Sequence, residues 1–341
     1  MNSKIHNLTV ILFLFYFLSI TNLLFSKSDS TELRHEDKLR IREAVRIAND
    51  YGDLVWKNFD SAPFAIILVT NDNEYLMNLP NPTDDFKSIG YDTIIGGEIF
   101  TRPRQFSNNM LATFPAVNGI PTIVVGQPEY TSRPTMDWII TIVHEHFHQL
   151  QYSQPDYYES VNALDLAGGD ESGMWMLNYN FPYDNKEISE QYQKLTQSAK
   201  KTYLSESDKE FNINLGVYKA ERAKFKSMLN DNDYKYFSFQ LWQEGLARYT
   251  EIKIADKIKD IYKPSKELSE LEDYISMESF YEDILSKLLR KADTQSLQED
   301  GRVCFYTLGA LEGLILDRSN PGWQDLYFTE KFYPEMYFSD N

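Results

Sequence analysis

The chain of 341 residues contains a single cysteine, Cys304. No intrachain disulfide can form and no multi-cysteine metal site can be built, so stapling and clustered-thiolate chemistry are both excluded. Cys304 lies in the run Val303-Cys304-Phe305-Tyr306, where a small buried hydrophobe is expected rather than a nucleophile. Positive charge is also scarce: 34 Lys and Arg stand against 51 Asp and Glu, for a net charge of −17 and a pI near 4.8. Such a surface repels phosphate backbones and anionic lipid headgroups, which argues against nucleic acid or a membrane surface as a partner. Internal repeats are absent, and beyond residue 26 no apolar run is long enough to span a bilayer. Histidine is rare too. Of five in the chain, three fall within one turn, at 144, 146 and 148.

What is present is otherwise ordinary for a globular chain, with 42% hydrophobic and 25% charged residues. The 23 Tyr and 21 Phe are expected to pack a core rather than form a binding stripe. Lys4 precedes an apolar run over residues 8–25, and polar Ser26-Lys27-Ser28 follows. That pattern predicts either a signal peptide ending near residue 26 or an uncleaved membrane anchor. The remainder is then an exported body, secreted or periplasmic, touching a membrane only through that anchor.

Apolar periodicity predicts a helix over 31–50 and a buried strand over 62–69. Residues 71–81 mix turn formers with a short apolar stretch, while 94–100 and 111–115 are weaker strand candidates. Asn118-Gly119 is a strong turn signal, and a strand over 121–126 follows it. Pro121 cannot donate to a central ladder, which suggests an edge strand. Ser132 or Thr135 could cap the next helix, with Pro134 in its first turn and a stop at Ser153-Gln154-Pro155. From residue 160 onward helical patterns and charged linkers dominate. The expected architecture is α+β: a small mixed N-terminal sheet packed on the motif helix, followed by a mostly helical C-terminal lobe. The expected boundaries are 1–26, 27–158 and 159–341.

The chemistry concentrates in His144-Glu145-His146-Phe147-His148. His144 and His148 are about one helical turn apart, so both imidazoles project from one face. Zn²⁺ accepts two such nitrogens at tetrahedral angles and leaves room for a third ligand and a water. Glu145 is rotated so that its carboxylate reaches the water rather than the metal, the logic of the His-Glu-x-x-His pattern of metalloproteases. His146 points away from the pair and is expected to be structural. No histidine follows His148, so the third ligand is expected to be Asp or Glu.

The segment Leu241-Trp242-Gln243-Glu244-Gly245-Leu246-Ala247 resembles the gluzincins, zinc peptidases that in some members carry a glutamate ligand in a downstream Trp-x-x-Glu-Gly-x-Ala helix. The Glu-Gly-x-Ala core matches in register, whereas Leu241 stands at the tryptophan position and Trp242 comes one residue late. The resemblance implies that Glu244 completes the site and that Gly245 and Ala247 let its helix pack close against the motif helix. Glu171 is the alternative ligand, because its distance from His148 is near the shorter gap of thermolysin-like and aminopeptidase N-like members. Phe305-Tyr306-Thr307-Leu308-Gly309 resembles the Tyr-x-x-Gly stretch that supplies a transition-state tyrosine in aminopeptidase N-like enzymes. By that likeness Tyr306 would donate to an oxyanion, with Tyr249 as runner-up.

Together these features imply a zinc-dependent peptidase acting on a peptide or protein substrate, with Glu145 as general base. The strand carrying Thr122, Ile123, Val124 and Val125 would line the cleft and take an extended peptide as a further strand. Three alternatives accompany this expectation: a zinc hydrolase of a non-peptide amide or ester, an exported non-catalytic binding protein on a zincin scaffold, and a structural protein in which the motif is coincidental.

Overall fold

A computed structural model describes residues 33–338 of the chain, and the expected leader at 1–26 lies outside the described residues. The N-terminal part forms one six-stranded sheet from β1 (Ile66–Val69), β2 (Asn73–Met77), β3 (Lys87–Asp92), β4 (Gly97–Pro103), β5 (Leu111–Val117) and β6 (Ile120–Gly126). The strand order is β3-β4-β2-β1-β6-β5. Only β1 and β6 run parallel, and the other pairings are antiparallel. Alternation along the strands divides the sheet into two faces. Ile66, Leu68, Ile123 and Val125 point into the main core, whereas Ile67, Val69, Leu76 and Val124 form a smaller second core with Phe86 and Phe100.

This order overturns the expectation that the strand with Thr122, Ile123, Val124 and Val125 is an edge. It lies between β1 and β5, and all four side chains are fully buried, so they line no cleft. Pro121 is tolerated for a local reason. Pairing with β1 begins only at Ile123, and on the other side the β5 ladder breaks register between Phe114 and Val117, opposite the proline. No ladder position asks Pro121 for an N–H. The end strand on this side is β5.

The motif helix, Thr135–Tyr152, packs against β5 and β6 and beside the first helix, His35–Tyr51. All but two of its residues are buried, as its continuous apolar run demands. Neither Ser132 nor Thr135 caps it with its own side chain. Pro134 occupies the cap position, and the carboxylate of Asp273, distant in sequence, accepts the Thr135 N–H at 2.8 Å and its hydroxyl at 2.6 Å.

No strand follows β6 among the described residues. The main helices after it are Lys186–Tyr203, Asp208–Met228, Asp231–Gln240, Leu246–Ile258, Met277–Thr294 and Val303–Ser319. Side chains of Asn185, Ser207, Asn230 and Ser276 cap four of them. Among the described residues, no helix is long and apolar enough to cross a membrane. One aromatic cluster forms where N-terminal and C-terminal elements join. Trp56 stacks on Phe147 at 4.8 Å, meets Trp323 edge-on at 5.5 Å, and donates its indole N–H to Thr250 at 2.7 Å.

Candidate metal centre

The helical turn 144–148 brings Nε2 of His144 and Nε2 of His148 to 3.2 Å from one another. The third group, the Glu244 carboxylate, arrives from a π-helical segment, Leu241–Gly245, inserted between the helices Asp231–Gln240 and Leu246–Ile258. Such a segment closes i→i+5 bonds and shifts the phase of the helix, a device often found at functional sites. Here it turns Glu244 so that its Oε2 lies 3.4 Å from Nε2 of His148 and 3.8 Å from Nε2 of His144. The three ligand atoms lie within 4.8 Å of one another. Glu171 is elsewhere, exposed on a loop.

The second ring nitrogens decide what can occupy this point. Nδ1 of His144 lies 2.6 Å from Oε1 of Glu251, and Nδ1 of His148 lies 2.6 Å from Oε1 of Gln151. Gln151 is oriented by its own amide donor, which reaches the carbonyl of Gln243 at 3.1 Å and the Tyr327 hydroxyl at 2.5 Å. The Gln151 carbonyl oxygen favours a proton on Nδ1 of His148, and the nearby Glu251 carboxylate favours one on Nδ1 of His144, which leaves each Nε2 to accept or ligate. Two imine nitrogens and a carboxylate converge on one small buried space with no donor among them. Such a set could hold a metal ion, and two histidine nitrogens with a carboxylate oxygen are a donor set that Zn²⁺ accepts. Without a metal a proton takes the place. Burial opposes a charged His144, but Glu251 beside it, with Glu244 and Glu145, holds its pKa up to about 9. Burial likewise opposes a charged Glu244, yet His148 and His144 keep its carboxyl well below the ordinary value.

Glu145 is buried next to His144 in the motif helix. Its Oε2 accepts a hydrogen bond of 2.8 Å from the Thr113 hydroxyl, so β5 sets the carboxylate beside the ligands. His146 faces the other way: one nitrogen contacts Gln149 at 2.8 Å, the other contacts the Phe59 carbonyl at 3.0 Å, and the ring stacks on Phe64 at 4.0 Å. Its burial lowers its pKa to about 4, so it is neutral and part of the core.

Tyr306 enters from the helix Val303–Ser319. Its ring lies parallel to His144 at 6.3 Å and its hydroxyl faces Glu244, while burial and that carboxylate keep the phenol protonated. Gly245 serves this helix, contrary to the expectation that it packs on the motif helix. A Cβ on Gly245 would lie 2.6 Å from Cα of Gly309 and 3.1 Å from the Phe305 carbonyl. The two glycines let the backbones touch, and Tyr306, one turn before Gly309, is thereby drawn up to Glu244. Tyr249 is not in the site: it donates to Asp317 at 2.8 Å and packs on Trp323. Three contributors were not foreseen in the sequence: Glu251, Gln151 and Thr113. Glu251 follows Glu244 by two turns, which is a signal, but beside Arg248 it reads equally well as a surface ion pair.

Comparison with family models, curated proteins and solved structures finds no match to this chain.

Proposed function

We propose that this chain is a zinc-dependent peptidase with a zincin-like arrangement of sheet and motif helix. The observation that carries the proposal is the convergence of the two Nε2 atoms, 3.2 Å apart, with the Glu244 carboxylate, backed by Glu251 and Gln151. Zn²⁺ held by His144, His148 and Glu244 would lower the pKa of a water and polarise a carbonyl. Glu145, fixed by Thr113, takes the proton of that water as its oxygen adds to the scissile carbon, and passes it to the amine as the C–N bond breaks. Tyr306 donates its hydroxyl proton in a hydrogen bond to the carbonyl oxygen as negative charge develops there. The end strand β5, which carries Thr113, replaces β6 as the strand to which an extended peptide would add.

The test is elemental analysis of the purified chain alongside hydrolysis of a peptide library. About one zinc per chain is expected, lost in His148→Ala and in Glu244→Ala. Glu145→Gln should retain the metal and lose turnover by about 10²–10⁴-fold. Full activity in Glu145→Gln, or a parent chain that takes up no zinc on reconstitution, would sink the proposal.

A further inference from the structure

We infer that Arg302 is a positioning residue whose guanidinium aims the Tyr306 hydroxyl into the site, a role that rests on the hydrolytic reading above. Arg302 stands at the N-cap of the helix Val303–Ser319, one turn before Tyr306 on the same face. Its Nη1–H donates to the phenol oxygen at 3.1 Å, and the same nitrogen lies 3.9 Å from Oε1 of Glu244. Its guanidinium carbon sits 5.8 Å from the Tyr306 ring centre.

A phenol oxygen carries one proton and accepts through its lone pairs, whereas a guanidinium can only donate. Arg302 therefore occupies the accepting side of the Tyr306 oxygen. The phenol's own proton is left to point away from Arg302, toward the acceptor it faces, Glu244. With Glu244 engaged by a metal, that proton is directed at the carbonyl oxygen of a substrate. A charged donor on the phenol oxygen also makes the remaining O–H a stronger donor. Glu145, Glu244 and Glu251 make the surroundings acidic. Arg302 is the cation next to the hydroxyl that must meet developing negative charge. Its side chain keeps 26% exposure, and Glu244, the carboxylate it approaches, keeps His144 and His148 beside it when Arg302 is replaced, so the substitution should not unfold the chain.

The experiment compares the zinc-loaded parent with Arg302→Met, Arg302→Lys, Tyr306→Phe and the double variant Arg302→Met/Tyr306→Phe. Arg302→Met should lower kcat by about tenfold with KM within about twofold, and Arg302→Lys should recover most of the loss. Tyr306→Phe should cost about 10²-fold, and adding Arg302→Met to it should cost nothing more. Losses that multiply in the double variant, or a change carried by KM, would overturn the inference, because Arg302 would then act on substrate directly. A second readout needs no activity. In chain labelled with ¹³Cζ-tyrosine, the resonance missing from Tyr306→Phe identifies Tyr306. It should move in Arg302→Met and stay near the parent position in Arg302→Lys. A parent that hydrolyses nothing defeats the peptidase reading alone. A Tyr306 resonance unmoved in Arg302→Met defeats the Arg302 inference whatever the activity.

Discussion

At the scale of single residues, the proposed metal ligands depend on groups one step behind them. Glu251 is only 2% exposed, touches Nδ1 of His144 and is itself held by Arg248. Removing it frees the imidazole to rotate and to carry its proton on either nitrogen. Glu251→Ala should therefore weaken zinc binding about 10–100-fold, measured by competition with a chromophoric chelator, while Glu251→Gln, which retains an acceptor, should lose less. Unchanged affinity in the alanine variant would mean that His144 is oriented by its packing alone. Cys304 makes the opposite case. Burial pushes its thiol up to about 12, and it sits fully enclosed in the helix that carries Tyr306. It should resist alkylation at pH 8 in the folded chain and react promptly in denaturant, as read by mass spectrometry.

At the scale of elements, the site is a meeting of three helices, and the closest approach among them is made by two glycines. An added methyl at Gly309 would come 2.6 Å from Cα of Gly245 and 2.9 Å from the Leu241 carbonyl, both backbone atoms that cannot move independently. Gly309→Ala should destabilise the chain by about 1–3 kcal/mol in urea unfolding and lower kcat, because Tyr306 is displaced along with the helix. The helix Lys186–Tyr203 braces the same element from outside, with the Tyr192 hydroxyl donating to the Cys304 carbonyl at 2.8 Å. That hydrogen bond ties the helix Lys186–Tyr203 to the helix that carries Tyr306. The motif helix draws on remote residues as well. Asp273 accepts the Thr135 N–H that no local side chain reaches, so Asp273→Ala should cost about 1 kcal/mol, as loss of a cap does.

At the scale of the whole molecule, what was legible in the sequence was whatever is local. The i, i+4 histidines and the all-apolar run before them define a buried helix with two imidazoles on one face. The Glu-Gly-x-Ala pattern singles out the carboxylate that the fold brings to them. What could not be read is set by contacts remote in sequence. The order of the sheet put β6 inside, β3 is too polar to signal a strand, and Gly245 turned out to face a helix some sixty positions on. The same remoteness makes a prediction about stability. His144 and His148 belong to the N-terminal part, Glu244 to the helical part, and one continuous core joins Trp56, Phe147, Tyr249 and Trp323 across them. A metal bound at that junction favours only the state in which both parts are assembled. Free zinc at about 1,000 times its Kd should add about 4 kcal/mol of stability. Removing it with a chelator should lower the unfolding midpoint equally by far-UV circular dichroism and by tryptophan fluorescence, since the core unfolds as one unit. Two separate transitions would show that sheet and helices fold independently, and a midpoint indifferent to chelation would mean that the His144, His148 and Glu244 cluster binds no metal.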